Sequence, residues 1–129
     1  MIVASTPSAL KEHLAALRTR SAAVSFVPTM GNLHAGHLAL MQQARQCAEV
    51  VVASIFVNPM QFAENEDLAT YPRTMEADLA ALREAGVDMV FTPTVEDIYP
   101  GGSALHTAIH VPVLGDSLCG RDRPGHFDG

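Results

Sequence analysis

The run VVVASIFV at residues 50–57 constrains the fold more than any other stretch of the chain. It is β-branched and apolar at consecutive positions, so a strand built from it must be covered on both faces. Such a strand belongs inside a parallel sheet with helices on either side. The flanking pattern supplies them. Ser8 through Arg18 carries Leu10, Leu14 and Leu17 at helical spacing, with Ser5 or Thr6 as cap and Pro7 near the first turn. AAVSFV (22–27) reads as a strand. Residues 35–48 repeat a helical pattern, with Leu38, Met41, Ala44 and Ala48 on one side and Cys47 toward the apolar side. Thr74 to Ala85 is helical, with Glu76 and Asp78 near the positive end of the helix dipole and Gly86 as the stop. VDMVFTP (87–93) reads as a third strand and ALHTAIHVPV (104–113) as a fourth, while 64–73, with Pro72, is loop or broken helix. A β-α-β-α-β order with short connections implies right-handed crossovers and an α/β, Rossmann-like parallel sheet with helices on both faces.

The 129 residues fit one domain, residues 1–129. The closing GRDRPGHFDG is polar, with no helix or strand after it, so the sheet is expected to be incomplete at its C-terminal end and the chain to be the front of something longer. The formal charge of −6, from 8 basic and 14 acidic residues, argues against a broad nucleic-acid surface. It leaves room for a small anion held by local dipoles. No stretch approaches the roughly 20 apolar residues of a membrane span. The N-terminus MIVASTPSALKEH has no secretion-signal pattern. Cys47 and Cys119 have no CxxC partner and read as free thiols of a reducing cytoplasm.

PTMGNLHAGHL (28–38) falls where the first long strand becomes the second helix. In a parallel α/β sheet, ligands bind outside the carboxyl ends of the strands. A helix start there leaves unpaired N–H groups with partial positive charge, which collect anions. Gly31 permits a tight turn, and Gly36, without a Cβ, lets a flat ring lie against the backbone. His34 and His37, three apart, project from one side of the first turn and offer two donors. This set suits attack at phosphorus: fixed donors meet the charge on the equatorial oxygens, and an imidazole can carry a proton to a leaving oxygen. Spacing alone equally allows a polar helix start with two solvated histidines. A metal pair would need a third ligand, and His126 is remote in the sequence.

HAGH (34–37) matches the H-x-G-H signature of the adenylyl-transferring α/β superfamily. With its flanks, and with SIFVNPMQFAENEDLATYPRT, FTPTVEDIYP and RPGHF following in order, the chain resembles the front half of the pantothenate synthetase (pantoate–β-alanine ligase) family. The resemblance implies the nucleotidyltransferase type of sheet, here an N-terminal nucleotide-binding domain. It also implies an ATP-dependent, AMP-forming ligase that joins pantoate to β-alanine through a pantoyl adenylate. ATP would bind at Met30, Gly31, Asn32, Leu33, His34, Ala35, Gly36 and His37, with His34 and His37 over the phosphates, His37 as proton donor and Gly36 against the adenine. Gln61 would contact pantoate and β-alanine, with Pro28, Asn58 and Met60 lining the pocket and Met60 and Phe62 as its apolar wall. Mg²⁺, a cytoplasmic homodimer and small-molecule partners only, with no nucleic acid or membrane, complete the expectation; Asp78 and Glu76 are weak candidates for the cation.

Arg73, Arg121 and Arg123 could pair with phosphate or carboxylate, Arg121 being expected at the surface, and His106 and His110 read as structural. Two departures from the family pattern stand out. Cys119 replaces the Glu of an L-E-G stretch, and the Gly-x-Lys-Asp and Ser-Ser-Arg stretches would lie beyond Gly129. Without that lysine and lid, nucleotide binding by these residues alone is expected to be weak and turnover poor or absent, since each lost donor costs roughly a hundred- to a thousandfold. The alternatives carried beside the ligase are another H-x-G-H nucleotidyltransferase, against which NPMQF argues, and a non-catalytic nucleotide-binding fragment.

Overall fold

The computed structural model describes residues 1–18, 22–62, 74–102, 109, 111–113 and 115–128. The chain forms two compact units: Met1–Val57 with Pro72–Thr94, and Asn58–Tyr71 with Val95–Gly129. The first holds β1 (Ile2–Ala4), α1 (Pro7–Arg18), β2 (Val24–Thr29), α2 (Ala35–Cys47), β3 (Val50–Ile55), α3 (Met75–Glu84) and β4 (Met89–Phe91). The second holds a 3₁₀ turn (Pro59–Gln61), the single-turn helices α4 (Val95–Ile98) and α5 (Cys119–Asp122), and a closing 3₁₀ turn (His126–Asp128).

The four strands make one sheet in the order β1-β4-β3-β2, every pair parallel. All six residues of β3 are buried, as its unbroken apolar run requires. Alternation along β3 divides the core in two. Val51, Ala53 and Ile55 pack with Met41 and Ala44 of α2 and Leu82 of α3. Val50, Val52 and Met89 pack on the other face, against Leu10, Leu14 and Leu17 of α1. The strand order explains the division. β1 to β2 crosses the sheet one way and β2 to β3 to β4 steps back, so right-handed crossovers place α1 opposite α2 and α3. Arg45 near the end of α2 clamps the amino end of the sheet: it bonds the Gly86 and Glu49 carbonyls and pairs with Asp88. Asp88 in turn accepts the Val51 N–H at 2.8 Å and holds the β3–β4 register.

The expected parallel sheet with helices on both faces is present. Three details differ. β1 was not expected; it has only three residues, two of them exposed, too short for a periodic signal. The fourth strand expected at 104–113 is not seen: Ile109 and Val111 to Val113 are not in a strand, and 103–108 and 110, with His106 and His110, lie outside the described residues. So do the 64–73 loop and Arg73. Cys47 is exposed, not on the apolar side. At roughly 100° per residue it lies about 60° beyond Ala44 and about 120° from Met41, past the edge of the buried stripe.

Leu82 is fully buried at the centre of the larger core. Leu82→Ala should cost roughly 2–5 kcal/mol of stability, read by urea denaturation. A loss below 1 kcal/mol would mean that α3 does not pack as described.

Candidate active site

Four side chains, Thr29, Asp78, His34 and His37, accept the backbone N–H groups of the turn between β2 and α2. Thr29, buried at the end of β2, donates its hydroxyl to the Ser54 carbonyl at 2.6 Å and accepts the Gly31 N–H at 3.2 Å. Gly31 and Asn32 are both left-handed, with φ of 81° and 52°. The next two N–H groups point at Asp78 of α3: Asn32 to Oδ2 at 3.0 Å and Leu33 to Oδ1 at 2.8 Å. His34 then caps α2, its Nδ1 accepting the Gly36 N–H at 3.1 Å, while His37 Nδ1 accepts the His34 N–H at 3.3 Å. The two rings cap reciprocally, as Ser and Glu do in a capping box.

Sequence spacing brought His34 and His37 to one side of a turn, and the structure brings them together: their centroids are 4.1 Å apart, tilted by 49°. A ring nitrogen that accepts an N–H carries no proton, so each neutral imidazole holds its proton on Nε2. Two Nε2–H donors therefore remain for a ligand. Burial lowers the His37 pKa, the neighbouring His34 lowers it further, and the Asp78 carboxylate opposes both. His37 is therefore neutral at pH 7. Its folded value lies below the ordinary 6.5, so the neutral cap contributes stability above that pH and loses it as acid protonates the ring.

The expected row of unpaired backbone donors is absent at most positions. Asn32, Leu33, His34, Gly36 and His37 all donate to internal acceptors. The ring against Gly36 is that of His34: a Cβ there would meet Cε1 at 2.9 Å. Gly36 thus serves the cap. Met30 is half-buried and Ala35 and Pro28 are exposed; all three belong to the same unit as the histidines.

The other expected site residues sit together in the second unit. Asn58, 8% exposed, caps the 3₁₀ turn, with Pro59 next, the two residue types that start such a turn. Its Oδ1 accepts the Met60 N–H and the Tyr99 hydroxyl, both at 3.0 Å. Met60, Gln61 and Phe62 are half-buried. His126 Nδ1 lies 2.7 Å from the Gln61 carbonyl, which can only accept, so Nδ1 donates. RPGHF is thereby joined to NPMQF. Gly120 is structural: a Cβ would fall 1.8 Å from the Gly115 carbonyl oxygen. Cys119 and Arg121 are exposed.

Sequence reasoning missed Asp78, Tyr99 and His126 as supports. Each acts over 41 residues or more of separation, which periodicity does not register. For Mg²⁺ the fit is poor. Both Asp78 oxygens already accept donors, and among the described residues no group of three His, Cys, Asp or Glu side chains is placed to hold a metal.

A parallel sheet whose strand end turns through Met-Gly-Asn-Leu into a helix begun by His-x-Gly-His defines a Rossmann-like domain of nucleotidyltransferase type. The family profile described as pantoate-beta-alanine ligase matches residues 2–129, and the chain belongs to that family. It is 57% identical to the pantothenate synthetase of Aeromonas hydrophila over 129 residues, all of this chain and 45% of the relative. With that of Chromohalobacter salexigens it shares 54% over all 129 residues and 46% of the relative. Among solved structures, a pantoate-beta-alanine ligase from Francisella tularensis complexed with beta-gamma ATP and beta-alanine superposes with a TM-score of 0.89 at 38% identity, over 100% of this chain and 49% of that one. The chain thus spans about half the length of the relatives it matches.

In an NMR titration, His37 should show a midpoint below 6.5 and, at pH 7, nitrogen shifts of the Nε2–H tautomer. A midpoint above 6.5, or an Nδ1–H tautomer, would break the reciprocal cap.

Proposed function

We propose that this chain carries the phosphate-binding half of an ATP-dependent pantoate–β-alanine ligase. The pantoate carboxylate attacks the α-phosphorus of ATP, the bond to the bridging oxygen breaks, and pyrophosphate leaves. The amine of β-alanine then attacks the pantoyl carbonyl, giving pantothenate and releasing AMP. The observation that carries this is the pair of Nε2–H donors fixed at the start of α2 in a chain of this family.

Met30 to His37 form the ATP turn. His34 and His37 donate Nε2–H to phosphate oxygens and strengthen those bonds as charge develops. A bound triphosphate favours the charged imidazole, opposing the burial that keeps His37 neutral without ligand. His37 is then the group that passes a proton toward the leaving pyrophosphate. Gln61, an uncharged amide, holds pantoate and β-alanine without repelling the nucleophile, with Pro28, Asn58 and Met60 beside it. Support for ATP and β-alanine as ligands comes from the Francisella tularensis relative, complexed with beta-gamma ATP and beta-alanine. Mg²⁺ enters as the counter-ion of ATP, and no step is assigned to it. The same reading carries a cytoplasmic homodimer; among the described residues no helix is long and apolar enough to cross a membrane.

The test uses a chimera joining this chain to the remaining half of the Aeromonas hydrophila relative. His37→Ala should slow single-turnover adenylate formation by about a hundredfold or more while changing pantoate affinity by less than threefold. Equal losses in both would remove the transition-state role.

A further inference from the structure

We propose that Asp78 is a positioning residue of the phosphate site: its carboxylate is a built-in anion that holds the turn at Gly31 to Leu33 and fixes where His34 and His37 begin α2. Asp78 is 4% exposed. Its Oδ2 accepts the Asn32 N–H at 3.0 Å and the Thr74 hydroxyl at 2.9 Å, and its Oδ1 accepts the Leu33 N–H at 2.8 Å. Gly31 makes room for it, since a Cβ there would come within 3.1 Å of Oδ2. Bonds to a carboxylate are shorter and stronger than neutral ones, and the group accepts on both oxygens at once. An asparagine would offer one acceptor and turn an N–H₂ toward a donor.

The backbone needs this partner. Asn32 at φ 52° is a non-glycine residue in the left-handed region, which persists only where surroundings over-determine it. Successive N–H groups of such a turn make a concavity that binds anions. Asp78 fills that concavity from within, so the triphosphate is met by the imidazoles one residue further on. A local bond across the first turn of α3 accounts for the Thr74 contact alone; the partners Asn32 and Leu33 lie 46 and 45 residues away. The role rests on the reading of the two histidines as phosphate donors, and the test separates the two.

ATP is titrated into this chain, its Asp78→Asn variant and its Thr74→Val variant, with amide exchange followed by NMR. In the unsubstituted chain the Asn32 and Leu33 amides should be protected, with and without ATP. Asp78→Asn should remove that protection, shift the ring nitrogens of both histidines, and weaken ATP binding about tenfold or more. Thr74→Val, which removes only the contact within α3, should leave ATP affinity within twofold. Asp78→Asn within threefold of the parent, or equal losses in both variants, overturns the role. If Asp78→Asn does not fold, the unsubstituted chain decides: exchange of Asn32 and Leu33 at the rate of an open loop refutes it, and protection supports it. Should the unsubstituted chain not bind ATP, the functional reading fails, while amide protection and the ring shifts still decide the role of Asp78.

Discussion

Burial of β3 on both faces is the constraint on which the first unit depends. Six consecutive buried residues contribute on the order of 1.5–3 kcal/mol for each large side chain that is fully covered. That gain requires a helix layer on each side. Helix layers in turn require parallel strands and crossovers, and the crossover hand decides which helix lies on which face. The carboxyl ends of β2 and β3 then emerge together, registered from Val24 opposite Val50 to Thr29 opposite Ile55. The histidine turn stands where it does because the sheet must be parallel.

At that edge the chain divides its donors in an unexpected way. A bare helix start would present backbone N–H groups to any anion. Here the Asn32 and Leu33 amides go to Asp78, and the His34 and Gly36 amides go to the two imidazoles. Each ring spends its inner nitrogen on the backbone and thereby holds its proton on the outer one. Local structure and chemistry are thus coupled through single atoms: the bond that starts the helix also selects the tautomer. Burial and the second imidazole disfavour the charged form of His37, so at pH 7 a bound anion is what would favour positive charge on it.

Much of this was legible in the residues. β3, α1, α2 and α3 declare themselves through period and composition, and the histidines through spacing on a first turn. Asn-Pro at 58–59 announces a turn start. The limits were equally physical. β1 is held by the Asp88 carbonyl and by the Thr92 N–H, partners nearly ninety positions away. Cys47 fell outside the apolar stripe because one residue is about 100° of rotation. Asp78 looked like a dipole-favouring acid in a helix start, and nothing local marks that its oxygens reach the turn at Asn32 and Leu33. The N–H groups expected to stay open at the helix start are taken by Asp78 from a distant element and by the two imidazoles themselves. Acceptors supplied from distant elements are invisible to a pattern confined to one segment.

A phosphate-binding role for this turn requires that the two outer ring nitrogens meet the triphosphate. Long-range ¹H–¹⁵N spectra of the histidine rings, recorded during an ATP titration at pH 7, observe those atoms directly. The Nε2 resonances of His34 and His37 should move together along one saturating curve while that of His13 stays still. Saturation by ATP with both rings unmoved would contradict the account.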